Sequence, residues 1–181
     1  LAIYKKIHGA GFEVYFVGGC VRDILMKRKV KDWDLTTNAK PEQILKIFPD
    51  GFYDNQFGTV GLPAEALAKA GIPHLAHAGV VEVTTFRTEK GYSDRRRPDE
   101  VSCGKTIEED LARRDFTINA IAMQCHPKLV SGSQINLIDP FNGQQDIKDK
   151  IIRAVGNPKE RFKEDALRLL RAVRIAAEHS F

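Results

Sequence analysis

The stretch Tyr15 to Leu35, YFVGGCVRDILMKRKVKDWDL, concentrates residue types that handle phosphates. Gly18 and Gly19 follow a short β-prone run, Val14 to Val17, and precede VRDILMKRK, which reads as a helix. A glycine bend between strand and helix lets backbone approach a bulky anion, and the helix start offers unpaired N–H groups to phosphate oxygens. Arg22, in the first helical turn, adds a planar fork suited to the same ligand. Two glycines in such a place are, on their own, more often an ordinary turn.

Asp32 and Asp34 change the balance. If Lys31 to Thr36 is a strand, these side chains emerge on one side, about 6.6 Å apart along the chain, while Trp33 turns into the core. Two carboxylates so placed can share divalent cations, and paired metals stabilise the attacking and leaving oxygens of a phosphoryl displacement. Mg²⁺ suits such a pair, because it takes few carboxylates and completes its shell with water and phosphate. An isolated Asp-x-Asp is usually a solvated acidic pair; the glycine bend and Arg22-Asp23 just upstream favour the metal reading. Glu82, inside the apolar run VVEVTTF, is a third candidate ligand. Buried, it would need a cation or a partner; on an edge strand it would face water. Both readings stand.

Two later clusters carry the same ambiguity. Arg113-Arg114-Asp115 could meet phosphates and sugar hydroxyls, since one carboxylate accepts two hydroxyl donors, or could complement a helix dipole. Glu164, Asp165, Arg168 and Arg171 share one face of a helical pattern. A carboxylate beside a guanidinium presents acceptor and donor edges, as a base's pairing edge does. The alternative is a row of intrahelical ion pairs worth about 0.3–0.5 kcal/mol each.

The elements that must position these groups follow from pattern. Residues 1–9 read as the end of an amphipathic helix, Pro41 to Phe48 as a helix, Phe57 to Gly61 and Val80 to Phe86 as strands. The Ala-rich stretch Pro63 to Gly79 reads as a surface insertion, and residues 87–98 (RTEKGYSDRRRP) as a mobile loop. Thr106 and Glu109 have capping-box spacing for a helix through Arg114. Ala120 to Gln124 reads as a strand, and Leu137 to Gly143 as a turn-rich segment closing a domain of residues 1–145. From 146 a second, helical unit begins; Lys159 to His179 reads as one long helix whose open pattern at Phe181 suggests that more protein follows.

Composition bounds the partners. At 181 residues, 43% hydrophobic and 29% charged, the chain is an ordinary globular size and mix. No apolar run nears the roughly 20 residues of a membrane span, and no signal peptide is evident. A net charge of +4 and a pI near 9.0 favour polyanionic partners. Cys20, Cys103 and Cys125 match neither a zinc spacing nor an even disulfide set, which points to a reducing, cytoplasmic setting.

Four segments, GGCVRD…DWDLTT, VEVTTFRTEKGYSDRRRPDEV, EEDLARRDFTINAIAM and RFKEDALRLLRAVRIAA, occur in the order and spacing of one known family. Over residues 12 to 178 the chain resembles the class II tRNA nucleotidyltransferases (CCA-adding enzymes) and bacterial poly(A) polymerases. The resemblance implies an α/β (α+β) fold: a nucleotidyltransferase head of DNA-polymerase-β type with a mixed sheet, followed by the start of a helical neck. It implies CCA addition to the tRNA 3′ end from CTP and ATP, or addition of AMP alone in a poly(A) polymerase; a silent RNA-binding module is the reading outside enzymes. Gly18, Gly19 and Arg22 would hold the triphosphate. Asp32 and Asp34 would be the catalytic residues holding two Mg²⁺, or Mn²⁺ in its place. Arg114, Asp115 and Asn119 would bind nucleotide, with Asp115 at the ribose hydroxyls. Asp165 and Arg168 would read the base, oriented by Glu164 and Arg171. The loop 87–98 would act as a lever between C and A addition, or be inert surface. Residues 63–79 depart from the family, in which a tighter connection is expected.

Overall fold

Every residue of β1 (Val14–Val17) is buried, because the strand lies inside the sheet with both faces covered. Val14 and Phe16 enter one core cluster, Tyr15 and Val17 another, as the two-residue period of a strand requires. The computed structural model describes residues 2–53, 58–63, 80–124 and 135–181. Its main sheet has seven strands in the order β3-β4-β5-β2-β1-β8-β9, comprising β2 (Asp34–Thr37), β3 (Phe52–Tyr53), β4 (Thr59–Leu62), β5 (Val81–Thr85), β8 (Ala122–Gln124) and β9 (Asn136–Ile138) around β1. Only β2 and β5 run parallel; every other pairing is antiparallel, so the sheet is mixed as expected.

Helices cover the sheet unevenly. α1 (Ala2–Gly9) and α3 (Pro41–Ile47) bury Ile3, Tyr4, Ile7 and Ile44 against the first cluster. α4 (Ile107–Ala112) closes the second with Ile107 and Leu111. α2 (Gly19–Leu25) begins directly at the glycine bend. Beyond the sheet come a 3-10 turn (Thr117–Asn119), α5 (Gly143–Asp149), α6 (Pro158–Glu164) and α7 (Leu167–His179). Among the described residues no helix is long and apolar enough to cross a membrane.

Several expectations need correction. Residues 87–98 do not form a loop throughout: β6 (Arg87–Lys90) pairs antiparallel with β7 (Glu100–Cys103) in a separate two-stranded sheet. Their charged composition hid this, because the hairpin's polar side chains meet one another rather than an apolar core. The long helix is broken at Asp165, which is extended (φ −141, ψ 109) and whose Oδ1 accepts from Leu167 N at 2.9 Å, so α7 starts anew. The strand at Asp34 begins later than expected, leaving Asp32 in a bend. The segment around Gly143 turns into α5 rather than only a turn. β5 is an internal strand, so Glu82 is not on an edge, yet it is exposed. Residues 64–79 of the Ala-rich stretch and Cys125 lie outside the described residues, as does Phe57 at the start of the strand expected from it.

Candidate active site

The sheet brings the glycine bend and the aspartates together by pairing β1 with β2. The register sets Phe16 opposite Leu35, so the end of β1 lies beside the start of β2 and Gly18 comes next to Asp34. Leu35 faces the first core cluster, which turns Asp34 the other way. Trp33 packs on Phe16 with ring centroids 5.3 Å apart, as its expected inward orientation requires. Gly18 has φ 72 and ψ −138, a region open essentially to glycine. A Cβ there would sit 3.2 Å from Arg114 Nη1 and 3.4 Å from Asp34 Oδ2. The backbone of the bend needs glycine, and a Cβ would in addition crowd the two charged groups closing on it.

Asp34 is half-buried, and no described residue hydrogen-bonds its carboxylate. Burial pushes the carboxyl above the ordinary aspartate range; Arg114 pulls it down and the charge of Asp32 pushes it further up. A partly desolvated carboxylate without donors beside a second, exposed carboxylate fits a hard divalent cation, which would supply the missing positive charge. Asp32 and Asp34 would be two of the ligands such an ion needs; among the described residues no group of three His, Cys, Asp or Glu side chains is gathered. Glu82 stands beside Asp34 in the parallel β2–β5 register, yet lines neither cavity described below.

A line of polar contacts runs from the bend to the last helix. Arg22 gives Nε and Nη2 to Asp23 Oδ1 at 3.0 and 2.8 Å, and Nη1 to Asn119 Oδ1 at 2.8 Å. Asn119 Nδ2 donates to Asp115 Oδ1 at 3.3 Å, as does Phe116 N at 2.8 Å. The other oxygen of Asp115 accepts from Arg171 Nε at 2.7 Å. Arg171 thus engages Asp115, not the Asp165–Arg168 pair it was expected to orient. Glu164 does meet Arg168, at 2.7 Å.

A second network joins the hairpin to the same helix. Asp110, fully buried, takes Arg113 at 2.9 Å and Arg114 at 3.1 Å. Burial works to raise its carboxyl, but these guanidiniums outweigh it and hold the group below the usual range. Arg113 also reaches Glu89 at 2.9 Å, Glu89 accepts the Tyr92 hydroxyl at 2.6 Å, and the Tyr92 ring lies under Arg168, 5.7 Å from centroid to Cζ. Ala166 N donates to Arg95 O at 3.1 Å, tying the hairpin's turn to the break before α7.

These groups enclose a cavity of about 550 Å³. Gly18, Gly19, Arg22, Asp34, Arg114, Asp115, Asn119, Asp165, Arg168 and Arg171 all line it; Asp32 and Glu164 do not. Eight arginines face it against five carboxylates, an excess that suits a polyphosphate. Glu89, Tyr92 and Arg96 line it too. The sequence placed all three in the polar stretch 87–98 without singling out any of them, and they enter the site because the hairpin folds over the pocket. A smaller cavity of about 400 Å³ adjoins it and contains Asp32.

Comparison with known proteins follows the same lines. The model of the poly A polymerase head domain family matches residues 14–153. The chain is 45% identical to the CCA-adding enzyme of Lactobacillus helveticus and 46% identical to that of Streptococcus mutans, aligning over its whole length with 41% and 40% of theirs. Among solved structures it is similar to the Bacillus stearothermophilus CCA-adding enzyme in complex with CTP (39% identity, TM-score 0.74, 96% of this chain and 37% of that one). It is also similar to a tRNA nucleotidyltransferase complexed with a primer tRNA and an incoming ATP analog (30% identity, TM-score 0.71, 99% and 45%). The chain spans about two fifths of the length of the relatives it matches.

Proposed function

We propose, from the premise that the chain belongs to the poly A polymerase head domain family, that it supplies the catalytic and nucleotide-reading part of an enzyme adding CMP and AMP, from CTP and ATP, to the 3′ end of tRNA. The observation that carries this reading is the meeting of Asp34, the Gly18 bend and Arg114 on the wall of an arginine-rich cavity. The relatives' names, CCA-adding enzyme, favour CTP and ATP together over ATP alone. A head of residues 1–145, a helical neck from 146 and a cytoplasmic setting belong to the same reading.

In it, Arg22 and Arg114 hold triphosphate oxygens beside Gly18 and Gly19. Arg22 is preset for this, since Asp23 and Asn119 pin its fork. Asp115 and Asn119 take the ribose hydroxyls, which requires the sugar to displace Arg171 from Asp115. Arg168 and Asp165 present donor and acceptor edges to the base, with Glu164 and Tyr92 steadying the guanidinium. Mg²⁺, or Mn²⁺ in its place, bound at Asp32 and Asp34 would neutralise charge on the attacking and leaving oxygens. The RNA 3′-oxygen bonds to the α-phosphorus, the α–β bond breaks, pyrophosphate departs and the hydroxyl proton passes to solvent. Most of the acceleration comes from positioning and charge stabilisation.

The test uses the full-length protein with labelled CTP and ATP, separately and together, on tRNA lacking its last three nucleotides. Expected are Mg²⁺-dependent addition of C from CTP alone, completion by A when both are present, and loss of at least about 100-fold in either Asp32→Ala or Asp34→Ala with the fold intact by circular dichroism. ATP incorporation without CTP would move the reading to a poly(A) polymerase. Activity retained in either variant would refute the site.

A further inference from the structure

We propose that the smaller cavity is the seat of the acceptor RNA's terminal phosphodiester, gripped by Lys29 and Lys31 with Arg174 at its junction with the nucleotide cavity. The inference rests on the nucleotidyl-transfer reading above. The two cavities meet at a shared wall that includes Gly19, Arg22, Asp34 and Arg174, whereas Asp32 lines only the smaller one. A phosphoryl displacement needs its attacking and leaving oxygens roughly in line on opposite sides of phosphorus. The arginine-rich cavity fits the leaving polyphosphate, so the attacking 3′-oxygen comes from across Asp34, where Asp32 stands.

The strip between α2 and β2 is built to offer cations there. Its start is held by Arg28 N donating to Asp23 O at 2.8 Å. Arg28 Nη1 reaches Glu178 O and His179 Nδ1, both at 2.9 Å, anchoring the strip to the end of α7. Val30 and Trp33 pack on the core, and Lys29 and Lys31, on either side of Val30, are exposed and line the cavity. Neither lysine makes an ion pair or hydrogen bond with any described residue, although Lys31 adjoins Asp32 in sequence; the same holds for exposed Arg174. What sets these lysines apart from ordinary solvated ones is their place on the wall of a cavity that also holds Asp32 and Asp34. Unpaired ammonium groups on flexible stems suit a phosphodiester whose orientation shifts as the strand lengthens by one nucleotide per cycle. They also offset the repulsion that Asp32, Asp34, Asp23 and Glu178 would exert on an incoming polyanion.

The experiment compares the full-length protein with its Lys29→Ala/Lys31→Ala and Lys29→Arg/Lys31→Arg variants. Binding of a short RNA hairpin with a single-stranded 3′ end is followed by anisotropy across a salt series, without nucleotide. Removing the lysines that neutralise this one single-strand phosphate should lower the slope of log K against log[salt] by about 0.7, and the arginine variant should restore it. In turnover, the alanine variant should raise the KM for this RNA tenfold or more and leave the KM for CTP within twofold. An unchanged salt slope, or a rise in CTP KM equal to that for RNA, overturns the proposal. A wild-type protein that binds the hairpin with the expected lysine dependence but incorporates no nucleotide overturns the reading above and leaves this site standing.

Discussion

At the scale of single residues the site is a balance between Asp34 and Arg114 across Gly18. Asp34 is placed where its ionised form is penalised, by burial and by Asp32, with Arg114 only partly compensating. Its folded pKa is therefore raised, so the charged form costs stability at neutral pH, and that cost vanishes as pH falls through the raised value. Asp34→Asn should raise the melting temperature at pH 7 in the absence of divalent ions while abolishing incorporation, and the gain should disappear at acid pH; scanning calorimetry at several pH values checks this. A carboxylate kept at a thermodynamic disadvantage marks a place where function outweighs stability.

At the scale of elements the unexpected one is the β6–β7 hairpin. Its charged strands are stable because Asp110, on α4, gathers Arg113 and Arg114 and Arg113 passes on to Glu89 of β6. The folded pKa of Asp110 is depressed, so its stabilisation is present above the unfolded value and lost as pH falls through the lowered one. Asp110→Ala removes the ion-pair partner of Arg114 and leaves Arg113 with Glu89 alone, each arginine being less than one fifth exposed. It should cost about 3 kcal/mol in urea unfolding and loosen the hairpin, seen as faster proteolysis near residues 91–98. The helix start at Thr106, by contrast, followed from capping-box spacing alone, with Thr106 accepting from Glu109 N.

At the scale of the whole molecule, α7 is held to the sheet domain by few polar contacts, chiefly Arg171–Asp115 at 2.7 Å and Arg28 on its last turn. Arg171 is about half exposed, so its pair with Asp115 is worth about 1 kcal/mol rather than the value of a buried pair. Arg171→Ala should accordingly speed hydrogen exchange of α7 amides by about fivefold in the absence of nucleotide. Leu169, Leu170 and Val173 are exposed on the same helix, so its apolar attachment is confined to the face where buried Ile175 packs with Phe116 and Ile118.

The sequence by itself determined what depends on neighbours along the chain. The strand, glycine bend and helix at 14–25, the inward Trp33 and the helical stretch ending at His179 were legible from spacing, whereas several candidate residues that line the cavity stood out only through the family resemblance, Asn119 by that alone. Tertiary structure decided what depends on pairing across the chain. The β1–β2 register put Gly18 beside Asp34, Asp115 took Arg171 as partner, the hairpin carried Glu89 and Tyr92 over the pocket, and Asp165 broke the last helix. Periodicity is a local property of backbone geometry, whereas register and long-range ion pairs are settled by competition among distant segments for the same partners, and no single stretch of residues encodes its outcome.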